Sequence, residues 1–290
     1  MKIVVRSYGR AASILLRTLK FLAAQRDVST VDSLHVVVHE SEREAYAKAL
    51  GGYPYAGLIV KTQKGGHNSI RAAVEHFPHG TPILFLDDDI ERVLHSETPL
   101  GKRVPMECLG AYAQDAFDTA KRVGCSLWSI SESRNQMWVA EKPWKEFRPC
   151  PIPGQFWGGF NSPDLITEIA HEDDSVRACR FFAREGGGLT YNWAHFESKA
   201  ENTGGMQSSG DRVSDKEEMR VLVQHLFDTI PEYRTFRKGP VWIPAHNNWG
   251  SRLRSIRVAQ SVKPFTHWRW STYFQKEPDA APPTDLDSLL

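Results

Sequence analysis

The apolar positions at the start of the chain follow two alternating rhythms. Short runs at residues 3–5, 34–38 (broken only by His35) and 58–60 have the length of buried strands. Between them, residues 11–24, 42–50 and 69–76 carry apolar side chains at helical spacing, as in Ile14, Leu15, Leu19 and Leu22. Repeated strand-helix units joined by right-handed crossovers predict a mostly parallel sheet with helices on both faces, an α/β fold. The next run, Ile83-Leu84-Phe85-Leu86, breaks off into Asp87-Asp88-Asp89-Ile90. It reads as a fully buried strand whose carboxylates emerge at its C-terminal end, where open α/β sheets place their ligands.

Further along the pattern is less regular. Residues 99–105 read as a joint, 107–123 as a helix that Gly124 terminates, and 125–131 as a strand. Residues 134–153 mix Trp and Pro without a clear period and predict loops or a hairpin. Helices follow at 164–170 and 174–184, then a stop at Gly186-Gly187-Gly188 and a strand at 189–192. Residues 201–215 are rich in Gly, Ser and Asn and predict a mobile loop near the site. No internal repeat is visible.

Three adjacent carboxylates repel one another unless a cation sits among them, and oxygen-only ligands suit Mg²⁺ or Mn²⁺. A metal there in turn suits a diphosphate. The plainer alternative is an exposed acidic turn after a strand.

Composition narrows the class only modestly. With 290 residues, 41% apolar and 24% charged, the chain is ordinary for one large or two small globular domains. No apolar stretch approaches the roughly 20 residues of a membrane span, so a soluble cytoplasmic protein without a membrane partner is expected. Cys108, Cys125, Cys150 and Cys179 are scattered, which argues for reduced structural cysteines and against zinc. The net charge of +1 conceals an asymmetry: Arg220 to Lys276 holds ten Lys/Arg against two acids. This stretch also carries Trp242, Trp249, Phe265, Trp268, Trp270, Tyr273 and Phe274. Cations interleaved with aromatics fit phosphate contact and base stacking, and an aromatic packing layer ringed by solvated charges fits equally well. Residues 277–290 read as a flexible acidic tail.

Taken in order, these features resemble one enzyme class. Ile3-Val4-Val5-Arg6-Ser7-Tyr8-Gly9-Arg10, followed by an amphipathic helix, resembles the opening strand and nucleotide loop of GT-A fold glycosyltransferases. Gly65-Gly66-His67-Asn68-Ser69-Ile70-Arg71, a helix, and Leu84-Phe85-Leu86-Asp87-Asp88-Asp89 resemble their approach to the DxD motif. Trp157-Gly158-Gly159-Phe160-Asn161-Ser162 resembles their small-residue acceptor segment. His171-Glu172-Asp173-Asp174-Ser175-Val176-Arg177, with Gly186 further on, resembles their ED helix and its following glycine, and His195 falls where many members keep a late metal-binding histidine. The likeness spans residues 1–200. It implies a Rossmann-like GT-A core with a nucleotide-sugar half at 1–92, an acceptor and catalytic half at 105–200, and a basic, aromatic-rich extension at 201–276.

The resemblance also assigns roles. Asp89 is the expected direct ligand of Mn²⁺ or Mg²⁺, and His195 completes the coordination or is a partly buried surface residue. Asp87 contacts the ribose or reaches the metal through water. Asp88, on the opposite side by strand alternation, is expected to matter least. Asp173, next to Glu172, is the expected general base at a helix start; the competing reading is that these acids cap the helix and complement its dipole. Ser7, Tyr8 and Arg10 are expected at the nucleotide of a UDP-sugar. Many members place an aspartate after the second strand to bind uracil; here His39-Glu40 stands there, with Glu40 as a substitute. Asn68 belongs to the same donor-binding group. Arg71 meets a phosphate or pairs with Glu75. Gly158 and Gly159 let a sugar approach the backbone or form a turn, and Trp157 offers a sugar-stacking face or packs in the core.

For the acceptor, the compact size, the DDD form of the metal motif and the basic C-terminal part look like the glycosyltransferases encoded beside TET-type hydroxylases in phages, which resemble the base J glucosyltransferase. Such enzymes imply hydroxymethylated pyrimidines in DNA as acceptors, with Arg252, Arg254 and Arg257 on phosphates and Trp249 or Trp268 stacking on a base. They also imply the host cytoplasm as location. Transfer to a saccharide or protein hydroxyl remains an alternative, as does a DNA-binding protein with an inactive core. A sugar nucleotidyltransferase wants a glycine-rich pyrophosphate loop, which Ser7-Tyr8-Gly9-Arg10 does not supply.

Overall fold

The computed structural model describes residues 1–131, 135–140, 142–148, 154–167, 173–185 and 187–199. The first unit builds strands β1 (Lys2–Arg6), β2 (Leu34–His39), β3 (Gly57–Lys61) and β4 (Pro82–Asp87). Helices α1 (Thr18–Ala23), α2 (Thr30–Ser33), α3 (Arg43–Ala49) and α4 (Gly66–His76) connect them. Strands β5 (Ile90–His95) and β6 (Val104–Pro105) and helix α5 (Leu109–Arg122) follow. The remainder adds β7 (Leu127–Ser131), α6 (Gln136–Val139), β8 (Lys145–Arg148), β9 (Phe156–Phe160), α7 (Asp173–Glu185) and β10 (Gly188–Ser198).

The strands form one sheet in the order β3-β2-β1-β4-β9-β7-β10-β5-β6, with β8 pairing β10. β3, β2, β1 and β4 are parallel, as are β7 and β10, while β9, β5 and β8 run against their neighbours. Strand alternation sorts the buried side chains into two layers. Ile3 and Val5 join Leu19 and Leu22 of α1, Tyr46 of α3 and Ala113 of α5 on one face. Val4 joins Ile70 and Val74 of α4 and Phe181 of α7 on the other. This is the expected α/β class, a mixed, mostly parallel sheet between helices. Strand order reverses between β1 and β4, so the crevice beyond their C-terminal ends is where such a sheet receives a ligand.

Three local expectations change. The helix expected over 11–24 is instead a 3₁₀ turn at Ile14–Leu16 and α1, separated by Arg17 at φ −126°, ψ −101°. The reason is tertiary: the Thr18 hydroxyl donates to Asp87 O at 2.7 Å and accepts from Ile90 N at 2.9 Å, tying the helix start to the aspartate turn. Ile90 begins β5, which pairs antiparallel with β10, directly after the carboxylates, and of the helix expected over 164–170 the described residues form only a 3₁₀ turn at Pro163–Leu165. Within 134–153, the described residues form α6 and β8. Gly124 does end α5, at φ +71°. The basic C-terminal stretch, residues 201–276, and the tail lie outside the described residues.

Candidate active site

The site is built where β1 and β4 end side by side, with Arg6 in register with Asp87. β4 brings an unbroken apolar run to this edge, Ile83 to Leu86 all fully buried, so the chain can expose its carboxylates only at the end of the strand. Arg6 stands at the equivalent position of β1. Its guanidinium donates to Asp87 Oδ1 at 2.5 Å and lies 3.9 Å from Asp173 Oδ2 at the start of α7. It thereby joins the two acidic motifs that the sequence places 86 positions apart. Although burial opposes the charge, Asp87 and Asp173 hold the Arg6 pKa above its ordinary value.

The loop after β1 is closed by Asp88. This carboxylate accepts from the Ser7 hydroxyl and from Arg10 Nη1 at 2.5 Å. Ser7 Oγ also meets Tyr46 OH at 2.5 Å, and that hydroxyl accepts from Arg10 N at 3.1 Å. Gly9, at φ +70°, donates its N–H to Glu42 at 2.8 Å. The expectation that Asp88 matters least is therefore corrected. β4 ends at Asp87, so strand alternation no longer directs the next side chain, and Asp88 turns inward onto the loop. Burial raises its pKa against the opposing pull of Ser7 and Arg10.

Asp89 is 6% exposed. Its Oδ2 is 3.5 Å from Arg10 Nη1, whereas Oδ1 is buried with no hydrogen-bond partner. Burial, then the neighbouring Asp87 and Asp88 charges, push its pKa up to about 7. An anionic oxygen held without a donor is costly, and a proton or a cation relieves that cost. A hard divalent ion fits this donor set.

Asp173 begins α7 as expected, buried and fixed by Arg177 Nη2 at 2.6 Å. Burial favours its neutral form, but Arg177 and Arg6 overcome that and hold its pKa below the usual carboxylate value. Arg177 is itself fully buried, with its guanidinium 4.3 Å from the centre of the Trp157 ring. Glu172 lies outside the described residues.

Other positions are distributed as follows. Tyr8 is edge-on to His39 at 6.2 Å, with Lys64 Nζ 5.8 Å from its ring centre. Glu40 is exposed in the turn after β2, and it is Glu42 that reaches the loop. Asn68 Nδ2 donates to Lys64 O at 2.7 Å within the first turn of α4. Arg71 is half-buried on α4, with no ion pair to Glu75 among the described contacts. Lys61 ends β3 buried, its Nζ donating to Gly65 O at 2.7 Å.

Two expectations are overturned. Gly158 and Gly159 lie in the middle of β9 between β4 and β7. A Cβ on Gly158 would overlap the Trp128 indole, and one on Gly159 would crowd Leu127 and Trp157, so the pair admits core side chains rather than a sugar. Trp157 likewise stacks on Phe85 at 4.2 Å inside the core. His195 does not join Asp87 and Asp89 in a metal cage. Among the described residues no three His, Cys, Asp or Glu side chains are so grouped, and His195 Nε2 is 3.4 Å from Arg103 Nη1 and 3.6 Å from Glu197 Oε1. Pairing of β10 with β5 sets His195 opposite Leu94.

Arg6, Arg177, Tyr46, Glu42 and Thr18 were not singled out by the sequence reading. Two of them carried a signal. Arg6 is a charge ending an apolar strand, as Asp87 is, and Arg177 stands four residues after Asp173 on one helix face.

No protein-family model and no curated protein matches the sequence. Among solved structures, residues 1–349 of S. aureus TarS in complex with UDP-GlcNAc are similar over 81% of this chain and 72% of that one, at 15% identity and TM-score 0.49. A mannosyltransferase from Pyrobaculum calidifontis, PcManGT, in complex with GDP-Man and Mn²⁺ covers 96% of this chain and 81% of its own, at 15% identity and TM-score 0.46. The 4-diphosphocytidyl-2C-methyl-D-erythritol synthase of Anaerococcus prevotii covers 76% of this chain and 95% of its own, at 10% identity and TM-score 0.42. No helix among the described residues is long and apolar enough to cross a membrane.

Proposed function

We propose that this protein is a metal-assisted glycosyltransferase of the GT-A type, moving a sugar from a nucleotide-diphosphate sugar to a hydroxymethylpyrimidine in DNA, with inversion. The observation that carries the reading is the unpartnered, buried Oδ1 of Asp89 at the point where strand order reverses. Asp89 and Asp87 would hold Mn²⁺ or Mg²⁺, which when bound neutralises charge developing on a departing diphosphate. Ser7, Tyr8 and Arg10 border the same crevice and would meet the nucleotide.

Asp173 takes the role of base. Arg177 and Arg6 keep it ionised and in place, and the same charges lower its basicity. Arg6, between Asp87 and Asp173, keeps donor and base carboxylates in one arrangement.

The DNA acceptor is supported by the basic, aromatic sequence of residues 220–276, including Arg252, Arg254, Arg257, Trp249 and Trp268. Mass spectrometry of 5-hydroxymethylcytosine DNA incubated with the protein, Mn²⁺ and a panel of nucleotide sugars tests the proposal. A hexose- or pentose-sized gain on the nucleoside is expected. No gain on DNA, with transfer to a saccharide or protein hydroxyl instead, would overturn the acceptor and leave the donor chemistry standing.

A further inference from the structure

We propose that Arg10 is a tethered counter-cation, which lies across Asp88 and Asp89 and competes with a divalent ion for Asp89. The inference rests on the metal-assisted reading of this edge. A guanidinium here has a clear electrostatic cause, because three consecutive carboxylates end one strand and two of them are almost fully buried. Arg10 Nη1 is 2.5 Å from Asp88 Oδ1 and 3.5 Å from Asp89 Oδ2. The two contacts are unequal. Arg10 is bonded to Asp88 and merely near Asp89, whose other oxygen has no partner. Asp89 is therefore the carboxylate the guanidinium can leave at least cost, and Asp88 the anchor it keeps.

The loop that carries Arg10 does not depend on its side chain for its shape. The Ser7 hydroxyl bonds to Asp88, Gly9 N to Glu42 and Arg10 N to Tyr46 OH, three ties made by other groups. The guanidinium can thus swing away from Asp89 while the loop backbone stays in place. Substituting Arg10 removes a charge while these three ties, made by the Ser7 hydroxyl and by backbone N–H groups, remain. A positive charge within about 4–6 Å of a carboxylate changes its affinity for a proton by roughly 10- to 1,000-fold, and a divalent cation competes for the same oxygens under the same repulsion. Arg10, 3.5 Å from Asp89 Oδ2, is therefore expected to weaken divalent binding there.

The experiment is a Mn²⁺ titration of the full chain, followed by the paramagnetic signal of free Mn²⁺, on wild type, Arg10→Gln, Arg10→Lys and Asp89→Asn. Arg10→Gln is expected to bind Mn²⁺ at least about tenfold more tightly than wild type. Arg10→Lys, which keeps the charge, should stay near wild type, and Asp89→Asn should lose the site. Equal or weaker binding by Arg10→Gln overturns the inference, since a merely structural arginine would loosen the site when removed. Equal tightening by Arg10→Lys overturns it too, because charge would then not be the cause. If wild type and Arg10→Gln both show no Mn²⁺ binding sensitive to Asp89→Asn, the metal-assisted reading itself fails and this inference with it. That result is distinct from intact Asp89-dependent binding that ignores Arg10.

Discussion

Replacing Arg177 by Met isolates the pair on which the base assignment depends. Arg177 is fully buried, bonded to Asp173 Oδ2 at 2.6 Å and to Leu165 O at 3.3 Å, and packed over Trp157. Methionine can fill much of the stem volume, but Asp173 is then left with Arg6, 3.9 Å away, as its nearest positive partner among the described contacts. Removing one partner of a buried ion pair costs about 3–5 kcal/mol. Two unit charges about 4 Å apart attract by about 4 kcal/mol at an effective dielectric constant of about 20, so Arg6 limits the damage without cancelling it. A loss of about 3 kcal/mol is expected. Neutralising both partners, as in Asp173→Asn with Arg177→Met, should recover at least about 2 kcal/mol relative to the sum of the single changes.

The assay is urea unfolding of the four proteins in a double-mutant cycle, with unchanged m-values confirming that compactness is preserved. A pH arm fixes the sign. Asp173 has a folded pKa below its unfolded value, so its stabilisation is present above the ordinary carboxylate range and is lost as pH falls through the folded pKa. In Arg177→Met the folded pKa moves back up, so the acid-linked loss should be smaller than in wild type. An Arg177→Met protein within about 1 kcal/mol of wild type, or strictly additive single changes, would refute the reasoning.

Two further outcomes follow from the same edge of the sheet. Asp173→Asn should bind nucleotide sugar and Mn²⁺ as wild type does while losing transfer; near-normal turnover would remove Asp173 as the base. Burial, and then the nearby Arg6 charge, lower the Lys61 pKa to about 8. Its unfolded value is about 10.4, so the charged amine destabilises the fold below pH 8 and the penalty fades as pH rises towards the unfolded value. Allowing for the lost bond to Gly65 O, Lys61→Met should be about 1–2 kcal/mol more stable than wild type at pH 7, with the advantage gone near pH 10. A Lys61→Met protein less stable at pH 7 would contradict this.

The sheet was legible because strand burial leaves a simple record. Val36 to Val38 and Ile83 to Leu86 are apolar without interruption since both faces of the sheet are covered. The helix expected at 11–24 was illegible for the opposite reason: Thr18 is held by Asp87 and Ile90, partners some seventy positions away, and local spacing cannot register them. Asp89 and Asp173 could be picked out as charges at the ends of elements. Asp88 could not be ranked, because its role depends on Ser7 and Arg10 folding back over it. Gly158 shows how a true signal can be misassigned. Its lack of a side chain does allow a close approach, and the group that approaches is Trp128 from the neighbouring strand β7.

The most direct test of the glycosyltransferase reading is calorimetric titration of nucleotide-diphosphate sugars into wild type and Asp89→Ala, with and without Mn²⁺. At least one donor is expected to bind wild type only when Mn²⁺ is present and to leave Asp89→Ala unbound under either condition. Absence of donor binding, or binding that needs neither Mn²⁺ nor Asp89, would contradict the reading.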